Sequence, residues 1–232
     1  MPTQLSQVPE ALQSDFDIVG DSRFFADPQQ LFLDSLAKDP RDIVYTPHNG
    51  GHWLITSHEL AREVLSNAEL FGSFPIGIPA NMEQRPRLIP LESEAHEHRR
   101  YRRPLLPIFE PTAVARLQTG AEALAAEVLD EVLPTGEFDF LWKAAKPISM
   151  GLFVRQLGLE PERLDEFYAW ETGFYRAPTM EERIACGEKI GGYLFEVVTQ
   201  HVDNPKNDIV GMLLNVDVEG EKLSLEEVHA IC

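Results

Sequence analysis

Two cysteines, Cys186 and Cys232, are all that this 232-residue chain contains. So few thiols exclude a disulfide framework, and without a CxxC spacing they offer no structural zinc site. Positive charge is also scarce: 20 Lys+Arg stand against 38 Asp+Glu, for a formal net charge of −18. That deficit argues against nucleic acid and against an anionic membrane surface as partners, because both are held by a net positive face. Long apolar runs are missing as well. No stretch approaches the roughly 20 residues that span a bilayer. The opening residues, Met1 to Glu10, are polar without a basic start, unlike a secretory leader. GxSxG, HExxH, GxGxxG and glycine-rich phosphate loops do not occur. These absences together predict a cytoplasmic chain in a reducing compartment. What is present is ordinary globular material, 44% apolar and 25% charged, enough to bury a sizeable core.

Periodicity predicts a mostly α fold with a small β-sheet (α+β), as one domain over residues 1–232. Residues 1–27 read as an irregular arm anchored by Phe16, Phe24 and Phe25. Asp27-Pro28 predicts a helix start, with Asp as N-cap, Pro at the first helical position, and Leu31, Phe32 and Leu36 on one face. Ile43–Thr46 and Trp53–Thr56 are β-branched and aromatic, and Asn49-Gly50-Gly51 between them predicts a hairpin. Ser57 caps a short helix to about Ser66, with Leu60, Val64 and Leu65 expected inside. Residues 70–94 then lose all period. Pro75, Gly77, Pro79, Pro86 and Pro90 break it, while Phe74, Ile76, Ile78, Leu88, Ile89 and Leu91 keep it apolar. Such a segment is either a pocket wall or lid, or a packed surface loop. From Glu92 onward helices dominate. They are punctuated at Pro104 and Pro107, Pro134-Thr135-Gly136, Gly158, Asn204-Pro205 and Glu219-Gly220, and a last helix begins after Ser224.

The densest group of chemistry-capable residues is His96-Glu97-His98-Arg99-Arg100-Tyr101-Arg102-Arg103. On a helix His98 and Arg102 are i and i+4 and project together, with Arg99 and Arg103 as the adjacent stripe. A guanidinium fork beside an imidazole donor suits a carboxylate or a phosphate. A solvated basic face balancing nearby acids is the other reading, and the residues alone leave both open. His96 and His98, two apart, do not share a face as a metal pair would. Glu92, Glu94 and Glu97 read as capping and dipole partners rather than an acid–base couple. Cys186, between Ala185 and Gly187, reads as a small core residue.

In order, these features resemble the N-terminal half of soluble bacterial cytochromes P450, the haem-thiolate monooxygenases. NGGHWLITSHELAREVL (49–65) resembles the family's first hairpin and the helix after it. EAHEHRRYRRPLLPIFEPTAV (94–114) resembles its HxxxR helix, with the pair at His98 and Arg102. KLSLEEVHAIC (222–232) resembles the start of its long central helix. The NGGHW hairpin is shared with the camphor-hydroxylating group, and the resemblance covers essentially the whole chain.

The resemblance implies that His98 and Arg102 bind a haem propionate. It implies that residues 74–91 cover the distal pocket, with Phe74, Gly77, Pro86, Leu88 and Leu91 toward a small apolar, terpenoid-like substrate. Phe174 and Tyr175 fall where the family's lid approaches that substrate. Pro86 stands where the camphor group has a hydrogen-bonding tyrosine, which points away from camphor itself. Arg99 and Arg100 would face an acidic ferredoxin that, with its reductase, delivers electrons. The family's Phe-Gly-x-Gly-x-His-x-Cys ligand loop, its Ala/Gly-Gly-x-x-Thr motif and its Glu-x-x-Arg pair do not occur in these residues. The expectation is therefore that residues 1–232 alone are not a competent monooxygenase, and that neither Cys186 nor Cys232 is the axial ligand. The rival readings are a haem-free helical binding module of the same fold and an unrelated acidic interaction protein.

Overall fold

The computed structural model describes residues 5–37, 39–78 and 87–232. The chain forms two compact units, Met1–His98 and Arg99–Cys232.

The amino-terminal unit contains α1 (Arg23–Ala26), α2 (Pro28–Ser35), β1 (Ile43–Thr46), β2 (His52–Ile55) and α3 (His58–Ser66). Asp27 caps α2 as expected, its Oδ1 accepting the Gln30 amide at 3.0 Å. β1 and β2 are antiparallel, with Ile43 opposite Ile55 and Thr46 opposite His52. The turn between them needs positive φ at Asn49, Gly50 and Gly51, which read 56°, 89° and 81°. Asn and Gly tolerate that region at little cost. Tyr45 and Trp53 meet across the strands edge to face, ring centroids 5.2 Å apart, a pairing that adds to sheet stability.

The arm before α1 is more ordered than its sequence predicts. It makes short 3₁₀ turns at Leu5–Gln7 and Glu10–Leu12, and Gln13 forms a parallel bridge to Tyr45. Polar side chains tie this arm down. Arg41 Nη1 donates to the carbonyls of Ala11 (2.8 Å) and Gln13 (2.9 Å). Asp39 holds Arg41 from the other side, at 2.8 and 2.5 Å. The Arg41 guanidinium lowers the Asp39 carboxyl to about 2. Thr46, wholly buried, donates to the Phe16 carbonyl at 2.7 Å. The core itself is small: Phe16, Leu31, Leu36 and Val44, with Ile18, Phe24 and Leu54 against them. One expectation fails here. Leu65 is 86% exposed, so the buried stripe of α3 is narrower than its apolar residues suggest, whereas Phe32 packs on the core Phe16 ring, centroids 5.5 Å apart.

The helical unit follows from α4 (Ala95–Leu105), which crosses the boundary between the units. After it come α5 (Pro111–Val132), α6 (Lys146–Gln156), α7 (Leu164–Arg176), α8 (Met180–Asp203) and α9 (Ile209–Asn215). A two-residue ladder, β3 (Asp217–Val218) with β4 (Glu221–Lys222), precedes α10 (Leu225–Ile231). Pro104 does not end α4 but lies inside its last turn. α6 is led in by one π turn, Leu141–Ala145, that the sequence reading did not anticipate. Thr179 with Glu182 and Ser224 with Glu227 form complete capping boxes at the starts of α8 and α10.

α8 packs on α7, α9 and α10. Its buried Leu194, Val197 and Val198 join Val210 and Leu213 of α9 and Val228 of α10 as the core. α7 and α8 approach so closely that a Cβ at Gly173 would press on the Cys186 sulfur. At the far end of α8 the buried His201 sets Nδ1 2.7 Å from the Val197 carbonyl and Nε2 2.9 Å from Asp208. Asp208 also caps α9 through Gly211 N–H at 2.9 Å. Gly158, at φ 65°, closes α6 against that Asp208 carboxylate, where a Cβ would overlap it.

Candidate functional site

α4 has two unlike sides. Tyr101, 5% exposed, donates its hydroxyl to Glu227 Oε1 at 2.6 Å. Arg100 lies 3.8 Å from the same carboxylate, with its guanidinium 5.5 Å from the Tyr101 ring centre. Burial works to raise the Glu227 carboxyl. The Tyr101 hydroxyl, the Ser224 amide and the Arg100 charge outweigh it, so its pKa ends below the ordinary range. This side of α4 is thus fastened to the first turn of α10.

The other side is open. Arg102 is exposed, its guanidinium 5.9 Å from the Phe109 ring centre, and His98 one turn earlier is half-buried. Among the described residues, neither side chain has an acidic or hydrogen-bonding partner, and neither do Arg99 and Arg103. An arginine fork and an imidazole in i, i+4 register, without an acceptor of their own, form the donor set that a propionate carboxylate requires. The residues fit a haem propionate on that ground.

The irregular segment is organised by a residue that the sequence reading misplaced. Glu92 was expected to be a capping or dipole partner. It is instead fully buried. Its Oε1 accepts the Ile76 amide at 3.0 Å, and its Oε2 accepts the Leu88 amide at 2.8 Å. An acid set directly after the apolar Leu88-Ile89-Pro90-Leu91 was the available signal. Arg87 lies over the Phe74 ring at 4.7 Å and 3.6 Å from Glu97. Phe74 and Gly77 are half-buried, while Ile76, Leu88 and Leu91 show 53%, 45% and 54% of their surface. Pro86, expected to face substrate, lies outside the described residues.

Phe174 and Tyr175 end α7 in the helical unit, edge to face at 5.0 Å. Tyr175 borders a cavity of about 410 Å³ with Trp142, Lys146, Met150, Glu171 and Thr172. Lys146 Nζ donates to Glu171 and Thr172, both at 2.7 Å, and sits 4.8 Å over Trp142. Apart from Tyr175, the sequence reading singled out no member of this group, because they come from a π turn and two helices. Burial and the Asp208 charge push the Cys232 thiol up to about 12, so it stays protonated at neutral pH. Among the described residues no group of three His, Cys, Asp or Glu could hold a metal ion. No helix among them is long and apolar enough to cross a membrane.

The chain is 25% identical over 189 residues to the steroid C26-monooxygenase of Mycolicibacterium smegmatis, covering 76% of this chain and 44% of that protein. It is 23% identical over 227 residues to cytochrome P450 107B1 of Saccharopolyspora erythraea, covering 93% and 56%. The relatives of this chain are cytochromes P450. No family model matches it. Among solved structures, the cytochrome P450 CYP101J2 superposes with a TM-score of 0.79 at 26% identity, over 99% of this chain and 57% of that one. CYP101C1 gives 0.75 at 22% identity with the same coverage. The expected fold is therefore correct: a mostly helical P450 fold with a small sheet, spanning about half the length of the relatives it matches. The resemblance to the camphor-type group agrees with the likeness to CYP101J2.

Proposed function

We propose that residues 1–232 are the amino-terminal part of one haem domain in a P450 monooxygenase. The whole protein would hydroxylate a small apolar, terpenoid-like compound with O2, taking electrons from an acidic ferredoxin and its reductase. The observation that carries this reading is α4: among the described residues the His98 and Arg102 side chains, in i, i+4 register, have no acidic or hydrogen-bonding partner, while the helix is fastened through Tyr101 to Glu227. The haem supplies the oxygen chemistry when bound. His98 and Arg102 donate to one propionate and orient the group. Phe74, Gly77, Leu88 and Leu91 of the irregular loop are assigned to meet substrate and select by apolar shape, and Phe174 and Tyr175 of α7 are assigned to approach it as well. Arg99 and Arg100 face the ferredoxin. Since Arg100 shares its charge with Glu227, Arg99 carries more of the steering. No cysteine of these residues is proposed as the thiolate ligand, and residues 1–232 alone are expected to be inactive. Relatives named steroid C26-monooxygenase place steroids in the substrate panel beside terpenes.

The test uses the full protein. Arg102→Ala should lose haem to an apo-globin acceptor faster than Arg103→Ala. A charge-assisted contact worth about 1.5–3 kcal/mol corresponds to roughly 10- to 150-fold in retention. Equal rates for the two variants would remove the propionate assignment.

A further inference from the structure

We infer that Glu92 is a positioning residue for substrate selection: its buried carboxylate pins the two arms of the pocket loop, one oxygen to each. The inference rests on the reading that residues 74–91 form the pocket wall. The segment has no strand or helix in its described parts, 70–78 and 87–94, so its backbone amides lack a ladder. Amides partly withdrawn from water need an acceptor, and a carboxylate can serve two donors on two sides at once. Glu92 does so at 3.0 Å to Ile76 and 2.8 Å to Leu88.

Glu92 is itself fixed by its neighbours. Its own amide donates to the Leu88 carbonyl at 2.7 Å, and Ser93 N–H donates to Pro90 at 3.1 Å, closing the turn that carries Leu91. The arm that carries Leu88 and Leu91 is therefore closed on Glu92 by backbone hydrogen bonds. The arm before it, with Ile76 and Gly77, is registered against it through Oε1. Arg87 over Phe74 joins the same two arms a second time. The spacing between Ile76 on one arm and Leu88 and Leu91 on the other, all displayed outward, is set by a side chain that touches no substrate.

Gln is nearly isosteric but offers one acceptor, and its amino end opposes the second N–H. Glu92→Gln in the full haem-loaded protein should raise hydrogen exchange at Ile76 or Leu88 about tenfold or more, with Val44 and Val198 amides unchanged. It should also shift the ratio of dissociation constants for terpene-sized and steroid-sized ligands several-fold, read by haem spin state, at unchanged haem content. Thr46→Val, which loses a buried hydrogen bond elsewhere in the same unit, is the control and should leave that ratio alone. If Glu92→Gln does not fold, Glu92→Asp keeps the charge, shortens the reach and should free one amide.

Unchanged exchange at both amides overturns the clamp. Faster exchange with a ligand ratio no different from that of Thr46→Val overturns the selective role. A parent protein that binds neither ligand class defeats the pocket reading itself, a result distinct from either.

Discussion

The two units are held together by different means. In the helical unit, α8 buries Leu194, Val197 and Val198 against Val210, Leu213 and Val228, and apolar packing dominates. In the amino-terminal unit the apolar core is small, and buried or half-buried polar side chains bind irregular backbone: Arg41 to Ala11 and Gln13, Thr46 to Phe16, Glu92 to Ile76 and Leu88. The difference follows from regular structure. A helix satisfies its own amides and needs only a partner face. A proline-broken segment cannot, so side chains supply the missing acceptors and donors. The unit whose loop is proposed to meet substrate is also the one whose shape depends on single polar groups.

The contrast is sharpest where a buried side chain is cut back in the helical core. Leu213→Ala, at a fully buried site, should cost about 2–5 kcal/mol. Urea unfolding followed by circular dichroism, with amide exchange read in α8, checks it, and a cost below about 1 kcal/mol would mean that this core is not closely packed. At the seam of α4 and α10, Tyr101→Phe removes one hydroxyl from the Glu227 carboxylate and should cost about 1.5–3 kcal/mol. The same substitution should raise the Glu227 carboxyl toward the ordinary range, measurable by carboxyl carbon NMR, since burial would then meet less opposition.

In the amino-terminal unit, Thr46→Val keeps the shape and leaves the Phe16 carbonyl without its donor, for about 1–3 kcal/mol. Faster exchange confined to β1 and the arm beside it is the expected pattern, and loss spread evenly over both units would erase the distinction drawn above. The smallest effect concerns acid. Asp39 is lowered from 3.8 to about 2 by Arg41. A depressed carboxyl contributes stability above its unfolded pKa, and the contribution fades as pH falls from about 4 toward 2. Asp39→Asn should therefore be less stable than the parent at pH 7 and converge with it near pH 2, in paired acid titrations. The pair is partly open to solvent, so the separation should be small.

Legibility in the sequence divides along the same line. The caps at Asp27, Ser57 and Ser224, the hairpin turn at Asn49 to Gly51, and the i, i+4 register of His98 with Arg102 are all present where residue types predicted them. The exposure of Leu65, the π turn before α6 and the Lys146 group were not foreseen. Glu92 was assigned to a helix end and is a buried clamp. Arg100 was read with Arg99 as a free cation and shares Glu227 with Tyr101, 126 positions from that acid.

The sequence by itself determined what depends on neighbours within a turn of chain: helix starts, the tight turn, and which side chains share a helix face. Those preferences come from backbone sterics and from hydrogen bonds three or four residues long, so local identity is sufficient. Tertiary structure alone decided which carboxylate each cation meets, which leucine is covered, and which acid is stripped of water. Burial and pairing belong to two segments at once. A residue such as Glu92 carries no mark of its two amide partners until the arms bearing Ile76 and Leu88 are folded around it.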